Sequence, residues 1–254
     1  MMKLKGLEAD LDFGTKNSLL FSVREVNRSS IVGVIDGELC ALLSEDRRLL
    51  PNSIRVGARD FLVLQSNLKT DSEVVFECEF KKLTSLQANF VFFQKENFHN
   101  FYFQLCGFMD LAYDDDINLE EILWQTIKSL MAKTMPINYL GYGIGSTPSF
   151  DDALLGGFLL VQLYQQSEVL SALKAYIRKN LNKTTDASQS QLYNAIEKQK
   201  FPQILLDLFN APSFQVLLPF LSHGGSSGLD ILLGIKTFYE CLILKNNDRS
   251  KDFL

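Results

Sequence analysis

The chain has 254 residues, 46% of them hydrophobic and 22% charged, with a formal net charge of -5. That length buries a large core, as one large domain or two modest ones. The acidic balance excludes a nucleic-acid binder, because the basic clusters Arg47-Arg48, Lys81-Lys82 and Arg178-Lys179 are short and scattered where such a protein concentrates its positive charge.

Up to about residue 108 the chain reads as β. Residues 18–26 and 30–35 are strand-like, and Asp36-Gly37 then turns the chain into a strand over 38–43, a strong hairpin signal. A turn at Pro51-Asn52 leads to short strands at 53–56 and 60–65, and residues 73–80 alternate around Val75 and Cys78. The aromatic runs 89–94 and 100–106 suit a half-buried sheet, and His99 reads as a structural residue in an aromatic-rich strand. Many short strands predict a small barrel or sandwich.

The pattern changes at Asp114-Asp115-Asp116, which reads as the acidic entry to a helix over 117–132. Further helices are predicted at 151–166, 168–178, 188–199, 201–210, 213–221 and 230–244, with a charged tail after them. The fold class is therefore α+β, with a β-rich domain over 1–109 and a mainly helical domain over 110–254. The longest apolar run, 153–161, is too short to span a bilayer and contains Gly156-Gly157. No secretory segment follows Met1, and the four cysteines show neither metal-ligand spacing nor a disulfide pattern. The expectation is a cytoplasmic protein without a membrane or nucleic-acid partner.

Two stretches of the helical half echo each other. Residues 149–156 and 227–234 both read Ser-x-x-Asp-x-Leu-Leu-Gly, and both follow a Gly/Ser-rich loop. In the first, Gly141, Gly143 and Gly145 alternate before Thr147-Pro148-Ser149 and the paired Asp151-Asp152. Ser149 suits an N-cap with Asp152 at N3, or Thr147 caps with Pro148 at N1. Either start leaves N–H groups beside the loop for an anion. The loop is neither a Walker loop nor a dinucleotide fingerprint. In the second, His223, Gly224, Gly225, Ser226, Ser227 and Gly228 precede Asp230. His223 either titrates at the lip of a site or simply finishes the preceding segment. Ser226 and Ser227 lack a Gly-x-Ser-x-Gly setting and read as hydrogen-bonding groups. A third polar helix start carries Thr184, Thr185 and Ser188. Asp151, Asp152 and Asp230 together either hold a Mg²⁺ ion or receive N–H groups of a small substrate. Lys183 and Arg178 are candidate counter-charges.

These motifs resemble the DUF2877 family, which includes the AllH-type subunit of oxamate carbamoyltransferase. Gly141, Gly143, Gly145, Thr147, Pro148, Ser149, Asp151 and Asp152 fit its pattern Gly-x-Gly-x-Gly-Leu-Thr-Pro-Ser-Gly-Asp-Asp. Thr184, Thr185 and Ser188 fit Thr-Thr-x-x-Ser, and Gly224, Ser226, Ser227, Gly228 and Asp230 fit Gly-His-Ser-Ser-Gly-x-Asp. Ser146, Phe150 and Gly225 depart from the family's Leu, Gly and His. The resemblance implies a subunit of a multi-subunit enzyme that converts oxalurate and phosphate to oxamate and carbamoyl phosphate. It implies that the glycine loop and the helix starts hold phosphate or carboxylate, that Asp151 and Asp152 bind a metal or ureido N–H groups, and that His223 donates a proton, so that Asp152, His223 and Asp230 are the candidate catalytic residues. A non-catalytic anion-binding or regulatory subunit, and a scaffold whose loops only pack helices, stand beside that reading.

Overall fold

The computed structural model describes residues 2–14, 17–88, 93–113 and 117–244. The acidic run 114–116, residues 89–92 of the first aromatic run and the tail after Leu244 lie outside the described residues. The chain divides into two compact units, Met1–Ala88 with Lys198–Leu206, and Asn89–Glu197 with Asp207–Leu254.

The first unit is a closed six-stranded barrel. Strands β1 (Met2–Asp10), β2 (Ser18–Val26), β3 (Ser30–Ile35), β4 (Glu38–Ser44), β5 (Ser53–Val56) and β6 (Glu73–Phe80) pair in the order β5-β4-β3-β2-β6-β1, and β5 closes on β1. A short β7 (Leu83–Thr84) pairs with β1. Closure leaves the six strands of the ring without a free edge. The β3–β4 hairpin turns at Asp36 (φ 52°) and Gly37 (φ 82°), the two left-handed positions that Asp-Gly supplies cheaply. Strand β3 alternates buried and half-buried residues along its length, sending Ile31 and Ile35 into a core with Phe21, Leu42, Ile54 and Phe76. The rings of Phe21 and Phe76 lie 5.9 Å apart.

Residues 60–65 and 100–106 are helical, which corrects two predicted strands. Helix α1 (Ala58–Asn67) buries Phe61 and Leu64, one turn apart, and exposes Leu62 and Val63. Helix α2 (Lys95–Ala112) buries Phe98, Phe101, Tyr102, Leu105, Phe108 and Met109. Those positions repeat every three or four residues, so helical period overrides the β preference of aromatic side chains. His99 thus lies on a helix, with its Nδ1 2.7 Å from the Tyr239 hydroxyl.

The second unit is helical. After α2 come α3 (Ile117–Met131), α4 (Ser149–Leu163), α5 (Ser167–Asn180), α6 (Asp186–Tyr193) and α8 (Ser227–Tyr239), while α7 (Gln203–Asn210) runs across the division between the units. The segment 213–221 forms short 3-10 turns in place of the predicted helix, with Pro219 near the start of the second. Among the described residues no helix is long and apolar enough to cross a membrane. The four cysteines form no disulfide.

Helices α4 and α8 carry the echoed sequences, and the echo has a packing cause. A Cβ on Gly234 would overlap the carbonyl oxygen of Ala153, and one on Gly156 would overlap that of Ile231. Each repeat's glycine therefore admits the other helix's backbone, and further on Gly157 takes the ring of Phe238. The pairings Ala153–Gly234 and Gly157–Phe238 advance together along both helices, so the two run parallel with their N-termini side by side. Gly234→Ala is expected to push the helices apart and destabilise the chain by about 3 kcal/mol, toward the top of the usual overpacking range, as read by urea unfolding.

Candidate functional site

The three motifs meet at the start of α4, within the second unit. The loop before α4 is built on left-handed glycines: Gly141, Gly143 and Gly145 have φ of 89°, 119° and 108°. Gly143 lies against the backbone of Ser149, where a Cβ would collide with its amide nitrogen. The loop thereby folds back over the helix start, and the amide of Phe150 donates to the carbonyl of Tyr142 at 3.0 Å. The amides of Asp151 and Asp152 both donate to Pro148 O. At α8 the amides of Ser227 and Gly228 donate to the carbonyls of Gly224 and His223. Neither Ser149 nor Ser227 caps its helix through the side chain, and each is instead the first helical residue. The donors expected to greet an anion at these helix starts are thus largely satisfied by main-chain carbonyls.

The adjacent aspartates face different neighbours. Asp151 Oδ1 accepts from the Gly141 amide at 3.0 Å, and its Oδ2 accepts from the Thr184 hydroxyl. Thr185 caps α6, accepting from the Ser188 amide at 3.3 Å, and its hydroxyl donates to the Ser146 carbonyl. Two consecutive threonines thus fasten the second motif to the first. Burial pushes the Asp151 carboxyl up, against the Thr184 hydroxyl and Gly141 amide that hold it down. The Ser188 hydroxyl assists only weakly, since its geometry falls short of a hydrogen bond. Thr184→Val removes a charge-assisted bond to a buried carboxylate and is expected to lower stability by about 1.5–3 kcal/mol, measured by chemical unfolding.

Asp152 faces the third motif. Its residue is 3% exposed, and Oδ2 is buried without a hydrogen-bond partner. Burial pushes its carboxyl well above the ordinary carboxylate range. The Ser227 and Thr147 hydroxyls oppose that rise, and the neighbouring charges of Asp230 and Asp151 add to it. Across the helix starts Thr147 Oγ1 and Ser227 Oγ lie 2.9 Å apart. Asp230 is equally buried and accepts from the Tyr113 hydroxyl at 3.2 Å through Oδ1. In the loops that lead to these two helix starts, Gly143 to Ser146 and Gly224 to Ser226 are exposed.

Other expected members fall elsewhere or play smaller parts. Arg178 is committed to Glu197, with Nε to Oε1 at 2.6 Å and a second bond at 3.1 Å, and supplies no counter-charge. Lys183 is exposed and contributes its carbonyl beside Gly141. His223 is half-buried and its carbonyl holds the start of α8. Phe150 is fully buried, its ring 5.9 Å from that of Tyr139, so this departure fills core below the loop. Among the described residues no group of three or more His, Cys, Asp or Glu is arranged to hold a metal ion. Of the three aspartates expected to hold a metal, Asp151 accepts a hydrogen bond on each oxygen, from Gly141 and Thr184. Tyr113 is a contact that sequence reading missed, and no motif surrounds it.

The segment that contains all three motifs has a recognisable relation. Residues 139–239 match a family model described as "Oxamate carbamoyltransferase subunit AllH". The match covers less than half of the chain and includes none of the barrel strands. It relates this segment to that family. No curated protein and no solved structure matches the chain.

Proposed function

We propose that the chain is a subunit of a carbamoyltransferase-type enzyme acting on a small ureido or carboxylate substrate with phosphate. The observation that carries this reading is the convergence of three separated motifs of the family-matched segment on one pair of parallel helix starts. In the phosphorolytic direction a phosphate oxygen bonds to the carbamoyl carbon of oxalurate and the C–N bond breaks. The electron pair leaves on the oxamate nitrogen, which gains the proton that phosphate gives up. The site residues would position both reactants and carry that proton. Asp152 and Asp230 are the buried acids for this transfer, with His223 at the lip as a further donor. Thr147, Ser149, Ser226 and Ser227 supply hydroxyls, and the exposed Gly143 to Ser146 loop supplies main-chain donors to phosphate.

Partner subunits are part of the proposal. Ile144 is 95% exposed between two left-handed glycines, and Ile137, seven residues earlier in the chain, is 69% exposed. An apolar rim beside a polar site suits a neighbouring subunit that completes it. The test is an assay of purified protein with carbamoyl phosphate and oxamate, alone and with its partner subunits. Release of phosphate with oxalurate formation is expected. Absence of both under all these conditions would reject the catalytic reading.

A further inference from the structure

We propose that the cavity at the far ends of α4 and α8 is a second ligand site, and that it takes a free α-amino acid with a bulky apolar side chain. Both helices start at the motifs described above and end here: Tyr164 follows the last residue of α4, and Tyr239 is the last residue of α8. The 15 residues of α4 separate the two places by about 22 Å at the usual helical rise. The cavity has a volume of about 580 Å³, within the roughly 300–1,000 Å³ of small-molecule sites. No residue of the three motifs lines it.

The first two turns of α2 form one wall, and their polar groups fall into two stripes. Positions four apart share a helix face, while neighbours in sequence diverge by about 100°. Lys95 and His99 therefore make a basic stripe, and Glu96 and Asn100 make an acceptor stripe beside it. The Lys95 ammonium is held over the Tyr164 ring, 5.4 Å from its centre. His99 is held on two sides. Its Nδ1 meets the hydroxyl of the buried Tyr239 at 2.7 Å, and its ring stands edge-on to Phe103 with centres 5.7 Å apart. A buried hydroxyl that fixes an exposed imidazole leaves Nε2 for a ligand. Among the described residues neither Lys95 nor Glu96 has an ion-pair partner.

These groups select a zwitterion. A simple anion is drawn to Lys95 and repelled by Glu96, and a simple cation meets the reverse. An α-amino acid lays its carboxylate on Lys95 and His99 and its ammonium on Glu96 and the Asn100 amide oxygen, so both unpaired charges are answered at once. The Tyr164 ring, Leu242 and Ile243 complete the wall and cover a bulky aliphatic or aromatic side chain.

The experiment titrates the full chain by calorimetry with phenylalanine, 3-phenylpropanoate and phenethylamine, of which the second lacks the ammonium and the third the carboxylate. Phenylalanine is expected to bind at least about tenfold more tightly than either analogue, the size of one charge-assisted hydrogen bond. Glu96→Gln is expected to erase its advantage over 3-phenylpropanoate, and Lys95→Gln its advantage over phenethylamine. Both positions are exposed, and an unchanged melting temperature checks that each variant is folded. Absence of phenylalanine binding overturns the proposal. Equal or tighter binding of either analogue does the same, since the site then reads one charge alone. An advantage that survives both substitutions places the amino acid elsewhere and also overturns it.

Discussion

Asp152→Asn is expected to unfold at a higher temperature than the parent chain, with a gap that widens as pH rises. The reason is linkage. Burial, and next the charges of Asp230 and Asp151, hold the folded-state proton of Asp152 well above the ordinary carboxylate range. In the unfolded chain the same group ionises near its usual value of about 3.9. Below that value both states are protonated and the group carries no penalty. As pH rises above it, the unfolded chain loses its proton and the folded one keeps it, so stability falls until the folded group also ionises. Asparagine does not titrate and escapes this loss. Asp151 keeps its own raised carboxyl in both proteins, so the difference between them isolates position 152. Under the proposed function, carbamoyl transfer by the same variant would drop roughly 100- to 10,000-fold, the span of a lost general acid or base. Thermal melts between pH 5 and pH 8 with parallel rate measurements check both halves. A gain in stability with a loss of activity marks a residue kept for function at the expense of the fold. A variant less stable than its parent at every pH would make Asp152 a structural element.

Lys200→Ala is expected to destabilise the barrel unit by about 3–5 kcal/mol, the usual result of removing one partner from a buried ion pair. The Lys200 ammonium lies 2.9 and 3.0 Å from the two oxygens of Asp10 and 2.6 Å from Asp12. Lys200 is 4% exposed and Asp10 is 0% exposed. Asp10 also accepts from the Asn52 amide at 3.0 Å, which alone does not offset a buried negative charge. Lys200 arrives on the segment Lys198–Leu206, which is bound to the barrel by backbone bonds from Phe201 to Leu86 and from Gln203 to Leu49. Its neighbour gives a control. Lys198 pairs with the half-exposed Glu38 at 2.7 Å, and Lys198→Ala is expected to change stability by only about 0–1 kcal/mol. Urea unfolding of the two variants, followed by a barrel-specific signal, separates the cases. Similar small effects would show that the Asp10–Lys200 pair is not buried in solution.

The sequence made the α+β class legible because its strongest signals were local. The Asp36-Gly37 hairpin and the alternation of β3 needed only neighbouring residues. Aromatic side chains misled at 100–106, where composition suggested a strand and the spacing of Phe98, Phe101, Tyr102 and Leu105 built a helix. Strand β1 stayed unread because its buried members include Glu8 and Asp10, which break any apolar alternation and are neutralised only by partners distant in sequence. The same holds for the segment around Lys200, whose place in the barrel unit depends on a pairing 190 residues apart.

At the candidate site the residue types were readable and their connections were not. Glycines at alternate positions, paired aspartates and Thr184-Thr185 all stood out, and the structure joins them through Asp151, Ser146, Thr147 and Ser227. Exposed helix-start amides were a reasonable expectation from capping rules. In the fold the carbonyls of Tyr142, Pro148, His223 and Gly224 reach several of those amides. The different fates of Asp151 and Asp152 were invisible, since adjacent identical residues carry no sign of which way each points.

The most direct test is a crystal structure of the chain grown with oxamate and phosphate. Both ligands are predicted at the starts of α4 and α8, within hydrogen-bond distance of Asp152, Thr147 or Ser227. Oxamate lodged elsewhere, with Asp152 facing only protein, would contradict the account.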